Sequence, residues 1–181
     1  MLCRLFQTRG YLCGPMDKVA DCGIDWRRKL IERLYFMGIN WLDPTNKPCT
    51  RALEGEAEVA LGHELLSERR YDEAAKMFRE VRHIDLRLVD ICDFVVARID
   101  LSVPMCGTWE EIFWANRMQK PVIAVIVQGK ANAPGWLFGT LPHHMIFSTM
   151  LQAEAYLKHI SYEQEIDLAD RWAFFDFKEA A

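Results

Sequence analysis

The segment Gly107-Thr108-Trp109-Glu110-Glu111 follows an apolar run and opens a stretch of helical character, which predicts Glu111 in a first helical turn. The partial positive charge of a helix N-terminus favours an ionised carboxylate there. A carboxylate held in that form can serve as a nucleophile, attacking an electrophilic centre such as the anomeric carbon of a sugar. Displacement at that carbon also calls for a group that handles the proton of the leaving group. Asp85, late in the preceding helical pattern, is a second acidic side chain of that region. Both residues also have plainer readings, Glu111 as a solvated cap-region charge and Asp85 as a surface ion-pair partner of Arg82 or Arg87.

Residues so far apart in the chain need a scaffold that gathers them. A first strand runs through Arg9-Gly10-Tyr11-Leu12-Cys13 and stops at the turn signal Gly14-Pro15. Apolar Trp26, Leu30, Ile31, Leu34 and Met37 recur at helical spacing over 25–37, with Arg27, Arg28, Lys29, Glu32 and Arg33 on the polar face. A short strand over 39–42 ends at Asp43-Pro44, and residues 45–70 predict a loop and an inserted helix. A helix over 72–91 leads to a strand over 94–99, and a helix to about 118 leads to the most apolar strand, 122–127. After a Gly- and Pro-rich loop over 131–142 come a short strand at 145–147 and a helix over 149–159. Apolar strands alternating with amphipathic helices predict an α/β fold in which one domain spans 1–181. Its expected core is a doubly wound, five-stranded parallel sheet of flavodoxin-like order 2-1-3-4-5, with the inserted helical segment after the second strand.

In such sheets ligands bind beyond the carboxyl ends of the strands, where the strand order reverses. That places Cys13 to Met16, Asp43 to Thr45 and Asp100 to Glu111 around one crevice. Asp100 closes its strand and has an alternative reading as an ordinary turn residue.

The bulk properties narrow the field. The 181 residues carry a formal net charge of −4, which argues against a nucleic-acid polymer as partner. No apolar run approaches the roughly 20 residues of a membrane span, and the opening segment lacks a signal-peptide pattern, so a cytoplasmic location is expected. Six cysteines without a C-x-x-C pair read as reduced and mostly structural, and no histidine spacing predicts a metal site. The acidic tail from Glu163 carries Trp172, Phe174, Phe175 and Phe177, which need either this chain's own surface or a neighbouring subunit's to cover.

Taken in order, Tyr11-Leu12-Cys13-Gly14-Pro15-Met16, Asp85 followed by Asp93, and Gly107-Thr108-x-x-Glu111 resemble the nucleoside 2-deoxyribosyltransferase family over nearly the whole chain. Glu111-Ile112-Phe113-Trp114-Ala115 and the Lys120-Pro121-Val122 run also look like the family's. The resemblance implies an enzyme that works without a cofactor on a nucleoside or nucleotide, with a nucleobase as acceptor, in a homo-oligomer. It casts Glu111 as the nucleophile, Asp85 as the group that binds the base and handles its proton, its pKa raised by partial burial beside an apolar wall, and Tyr11 as the residue that orients Glu111. Gly14, Met16, Asp43, Gly107 and Thr108 would surround the substrate. Many members carry a second aspartate shortly before the nucleophile; this chain has Met105 there, and Asp100 is the expected substitute.

Related family members hydrolyse nucleoside 5′-monophosphates, and Ser102, Thr108 and Arg82 are the residues that could hold a phosphate here. Gly107-Thr108-x-x-Glu111 alone also looks like the cytokinin-activating phosphoribohydrolases, but their Pro-Gly-Gly is Pro104-Met105-Cys106 in this chain. A nucleotide-sensing module on the same fold is the alternative from another class.

Overall fold

The structure, a computed structural model, describes residues 3–47, 56–162, 171–172 and 174–175. The strands are β1 (Arg9–Cys13), β2 (Asn40–Leu42), β3 (Phe94–Ile99), β4 (Val122–Ile126) and β5 (Ile146–Phe147). They pair in parallel in the order β2-β1-β3-β4-β5, the flavodoxin-like arrangement expected. The helices are α1 (Ile24–Arg33), α2 (Glu56–Ser67), α3 (Tyr71–Ile91), α4 (Cys106–Arg117), α5 (Gly135–Thr140) and α6 (Met150–Tyr162). Among the described residues no helix is long and apolar enough to cross a membrane.

Successive strand residues face opposite sides of the sheet. Tyr11, Cys13, Val95, Ala97 and Ile99 share one face with Ile112 and Ala115 of α4 and Leu88 and Val89 of α3. Leu12, Phe94, Val96, Ile123 and Val125 share the other with Leu30 of α1 and Leu157 and Ile160 of α6. Helices cover both faces, which is why the central strands read as unbroken apolar runs. Trp172 and Phe175 of the tail seal the second face: the Trp172 ring lies 5.5 Å from Phe94, and its indole N–H donates to the Tyr156 hydroxyl at 2.9 Å. These two rings serve this chain's own core; Phe177 and Cys49 lie outside the described residues.

Three local expectations change. The helix expected over 25–37 ends at Arg33 and tightens into a 3₁₀ turn over Tyr35–Met37, closed by Gly38 in the left-handed region at φ +64°. Arg27, assigned to the polar face of that helix, is fully buried. The loop over 131–142 contains α5, a helix of little more than one turn held by the buried side chain of Leu137, which the surrounding Pro and Gly residues disguised.

Candidate active site

Tyr11 and Cys13 stand two apart on β1 and therefore project from the same face, toward α4. The Tyr11 phenol donates to Oε1 of Glu111 at 2.7 Å, and the Cys13 thiol lies 2.9 Å from Oε2. Glu111 is not held in the way its sequence position suggests. Because α4 begins at Cys106, Glu111 is its sixth residue and falls in the second helical turn, past the reach of the N-terminal partial charge. Side chains from β1 hold the carboxyl instead.

Burial pushes the Glu111 carboxyl up to about 7; the nearby Asp85 carboxylate adds to the rise, and the donors on Cys13 and Tyr11 and the more distant Arg27 charge oppose it. Burial, with Glu111 next, raises both the Tyr11 phenol and the Cys13 thiol well above their ordinary ranges. Both groups therefore keep their protons at neutral pH and act as donors.

Asp85 is buried on α3, and its partner is neither Arg82 nor Arg87. The side chain of Lys47, wholly removed from solvent, places its ammonium 2.8 Å from Asp85 Oδ1. Asp85 thus faces a cation where an apolar wall was expected. Arg82 makes a forked contact with Glu110 instead, with Nε at 2.8 and 3.1 Å from its two oxygens.

Asp85, Glu111 and Tyr11 line one cleft of about 490 Å³, together with Gly14, Met16, Gly107 and Thr108. That volume lies within the range of small-ligand sites. Gly14 is tightly packed: a Cβ there would stand 3.1 Å from both the Arg98 carbonyl and the Trp26 ring, which would have to give by a few tenths of an ångström. Its carbonyl accepts from Arg27, whose guanidinium also reaches the carbonyls of Leu12 and Gly23 and so pins the loop after β1.

Two expected residues are not brought to the cleft wall. Asp43 accepts from the backbone N–H and hydroxyl of Thr45 and stands 3.7 Å from Arg27, although its neighbour Pro44 does line the cleft. Asp100 accepts from Ser102 and Gln128 on the rim side of β3, and Ser102 is committed to that turn. Met105 lines the cleft with a buried thioether where the resembled family places its second aspartate. Among the described residues no group of three or more His, Cys, Asp and Glu could hold a metal ion.

Sequence reasoning missed three residues of this neighbourhood. Cys13 carried a usable clue, because a strand places positions 11 and 13 on one face. Arg27 and Lys47 carried none: a basic residue on a helix or in a loop is ordinarily solvated.

No protein-family model matches the sequence, and no curated protein matches it significantly. Solved structures do. A 2-deoxyribosyltransferase from Bacillus psychrosaccharolyticus is similar at 18% identity, over 83% of this chain and 96% of that one, with a TM-score of 0.55. A 2-deoxyribosyltransferase from Leishmania mexicana matches at 13% identity, over 93% and 96%, with a TM-score of 0.46. A CMP N-glycosidase from Clostridium botulinum matches at 19% identity, over 84% and 98%, with a TM-score of 0.41. At such identities the first of these likenesses carries the fold, and the chemistry is argued from the site.

Proposed function

We propose that this chain belongs with the nucleoside 2-deoxyribosyltransferases and their N-hydrolase relatives, and that it cleaves the N-glycosidic bond of a nucleoside with Glu111 as nucleophile. The observation that carries this reading is the buried Glu111 carboxyl, donated to by Tyr11 and by the Cys13 thiol in a cleft it shares with Asp85. A carboxylate so held is aimed, and little reorganisation is needed as charge leaves it for the sugar.

The reaction is a double displacement. Ionised Glu111 bonds to the anomeric carbon through an oxocarbenium-like transition state as the bond to the base breaks, giving a glycosyl ester. In this reading Asp85 meets the departing base, and the proton the base takes up comes from the Lys47 ammonium, 2.8 Å from the Asp85 carboxylate. A second base then bonds to the ester carbon as the bond to Glu111 breaks, and gives its proton back to the Lys47–Asp85 pair; water in its place gives hydrolysis. The engagement of Arg82 with Glu110 and of Ser102 with Asp100 favours the nucleoside over its 5′-monophosphate, since two of the three side chains available for a phosphate are occupied.

The test is incubation with a panel of deoxynucleosides and their monophosphates, with and without an acceptor base, followed by chromatography of free and exchanged base. Exchange of deoxynucleosides is the expected result. Release without an acceptor would identify the hydrolase, and silence across the panel would favour a sensing module. Glu111→Ala is expected to abolish turnover while the fold persists; an active variant would remove Glu111 from the mechanism.

A further inference from the structure

Cys13 has no task in the reaction above beyond its contact with Glu111, and its position is too specific for a filler of the core. It is fully buried, on the strand face that carries Tyr11, with its sulfur 2.9 Å from Oε2 of the carboxyl whose Oε1 the phenol holds. A small apolar side chain would fill the same space without donating. The thiol also has a second acceptor, the Thr108 carbonyl at 3.6 Å, to which it can turn when Glu111 is protonated.

We propose that Cys13 is a positioning residue for the nucleophile, its thiol holding Oε2 of Glu111 while Tyr11 holds Oε1. This rests on the reading of Glu111 as nucleophile. Two donors at opposite oxygens fix the carboxylate plane, which a single phenol leaves free to turn, and each oxygen keeps a lone pair for attack. A thiol is a weak donor, so it orients the anion while drawing little charge from it. The charged and titratable groups around Glu111 are Tyr11 and Cys13 from β1, Asp85 from α3 and Arg27 from α1, while Glu110 on its own helix is turned to Arg82. Removing the thiol leaves Asp85 and burial opposed by Tyr11 and Arg27 alone.

The experiment is a carbon-13 titration of the Glu111 carboxyl in the ligand-free protein, assigned with Glu111→Gln, in wild type, Cys13→Ala and Cys13→Ser. The expected midpoint is about 7 in wild type. It should rise by about one pH unit in Cys13→Ala, the scale of one hydrogen bond to a charged acceptor. In Cys13→Ser, whose hydroxyl still donates, it should stay at or below the wild-type value. The infrared S–H band of Cys13 in unmodified protein gives a check that survives poor folding of either variant: it should move when Glu111 is titrated. An Ala variant with an unmoved midpoint, or an S–H band indifferent to Glu111, overturns the proposal.

In assays the acid limb of kcat/KM should follow the same midpoints, with kcat at the plateau falling about tenfold in Cys13→Ala and KM nearly unchanged, as for a contact made mainly in the transition state. If the carboxyl midpoint moves as expected but wild type turns over no nucleoside, the hold of Cys13 on Glu111 stands and the assigned reaction falls.

Discussion

Glu111 and Asp100 both follow β3, yet their surroundings drive them in opposite directions. Asp100 accepts from the Ser102 backbone N–H at 3.1 Å, the Ser102 hydroxyl at 2.6 Å and the Gln128 amide at 2.7 Å. Those donors, Ser102 first and then Gln128, hold its carboxyl below the usual range. Glu111 is out of water and beside Asp85, so its proton affinity rises against the opposing pull of its thiol and phenol donors. A satisfied anion in a turn is stable and inert. A buried anion with few donors is basic, and basicity is what a nucleophile spends in forming a bond.

Replacing Glu111 should sharpen that contrast most. Loss of turnover in Glu111→Gln is expected to reach about 10⁴-fold or more, as for the attacking group of a covalent mechanism. Stability should move the other way. The folded-state pKa of Glu111 is raised from 4.5 to about 7, so its favourable contribution is complete below about 4.5 and is lost as pH rises through about 7. Denaturant unfolding of the Gln variant and wild type should therefore diverge over that window, with the variant gaining about 3 kcal/mol relative to wild type between its ends. The kcat/KM of wild type should climb through the same window, because only ionised Glu111 attacks. A flat stability difference would mean that burial does not raise this carboxyl, and the contrast with Asp100 would be lost.

Asp85 tests whether the cleft depends on more than its nucleophile. In Asp85→Asn, kcat should fall about 10² to 10⁴-fold, the range of a lost acid–base partner. Removing the carboxylate that faces the buried Lys47 ammonium should also cost roughly 3 kcal/mol in urea unfolding. The double variant Asp85→Asn with Lys47→Met should recover stability without recovering activity. Recovery of both would assign the pair to the fold alone.

The same contrast explains what the sequence disclosed. The strands and their order were legible because a sheet covered on both faces demands continuous apolar runs such as Phe94–Ile99 and Val122–Ile126. The convergence of Tyr11, Asp85 and Glu111 on one cleft was legible from the resemblance together with the rule for strand ends. How Glu111 is held was not, because α4 starts early enough to carry Glu111 into its second turn, and helix boundaries are weakly encoded. Lys47 was invisible for a different reason: its burial depends on where a loop meets α3, a long-range fact that no local pattern records. Asp100 was visible, but its two readings differ only in whether its donors come from its own turn or from a ligand.

That last distinction supports the smallest effect. The donors of Asp100 lie in its own loop and in Gln128, so Asp100→Asn should leave kcat within about threefold of wild type, inside the spread of surface substitutions. Its lowered pKa contributes stability that is present above the unfolded value near 3.8 and is lost as pH falls through the folded one. Solvent screening keeps that contribution under about 1 kcal/mol, readable as a small drop in unfolding midpoint at neutral pH that fades below pH 3.8. A loss of kcat on the scale of Asp85→Asn would place Asp100 in the reaction after all, and the separation between an inert carboxylate in a turn and a reactive one in the cleft would have to be drawn elsewhere.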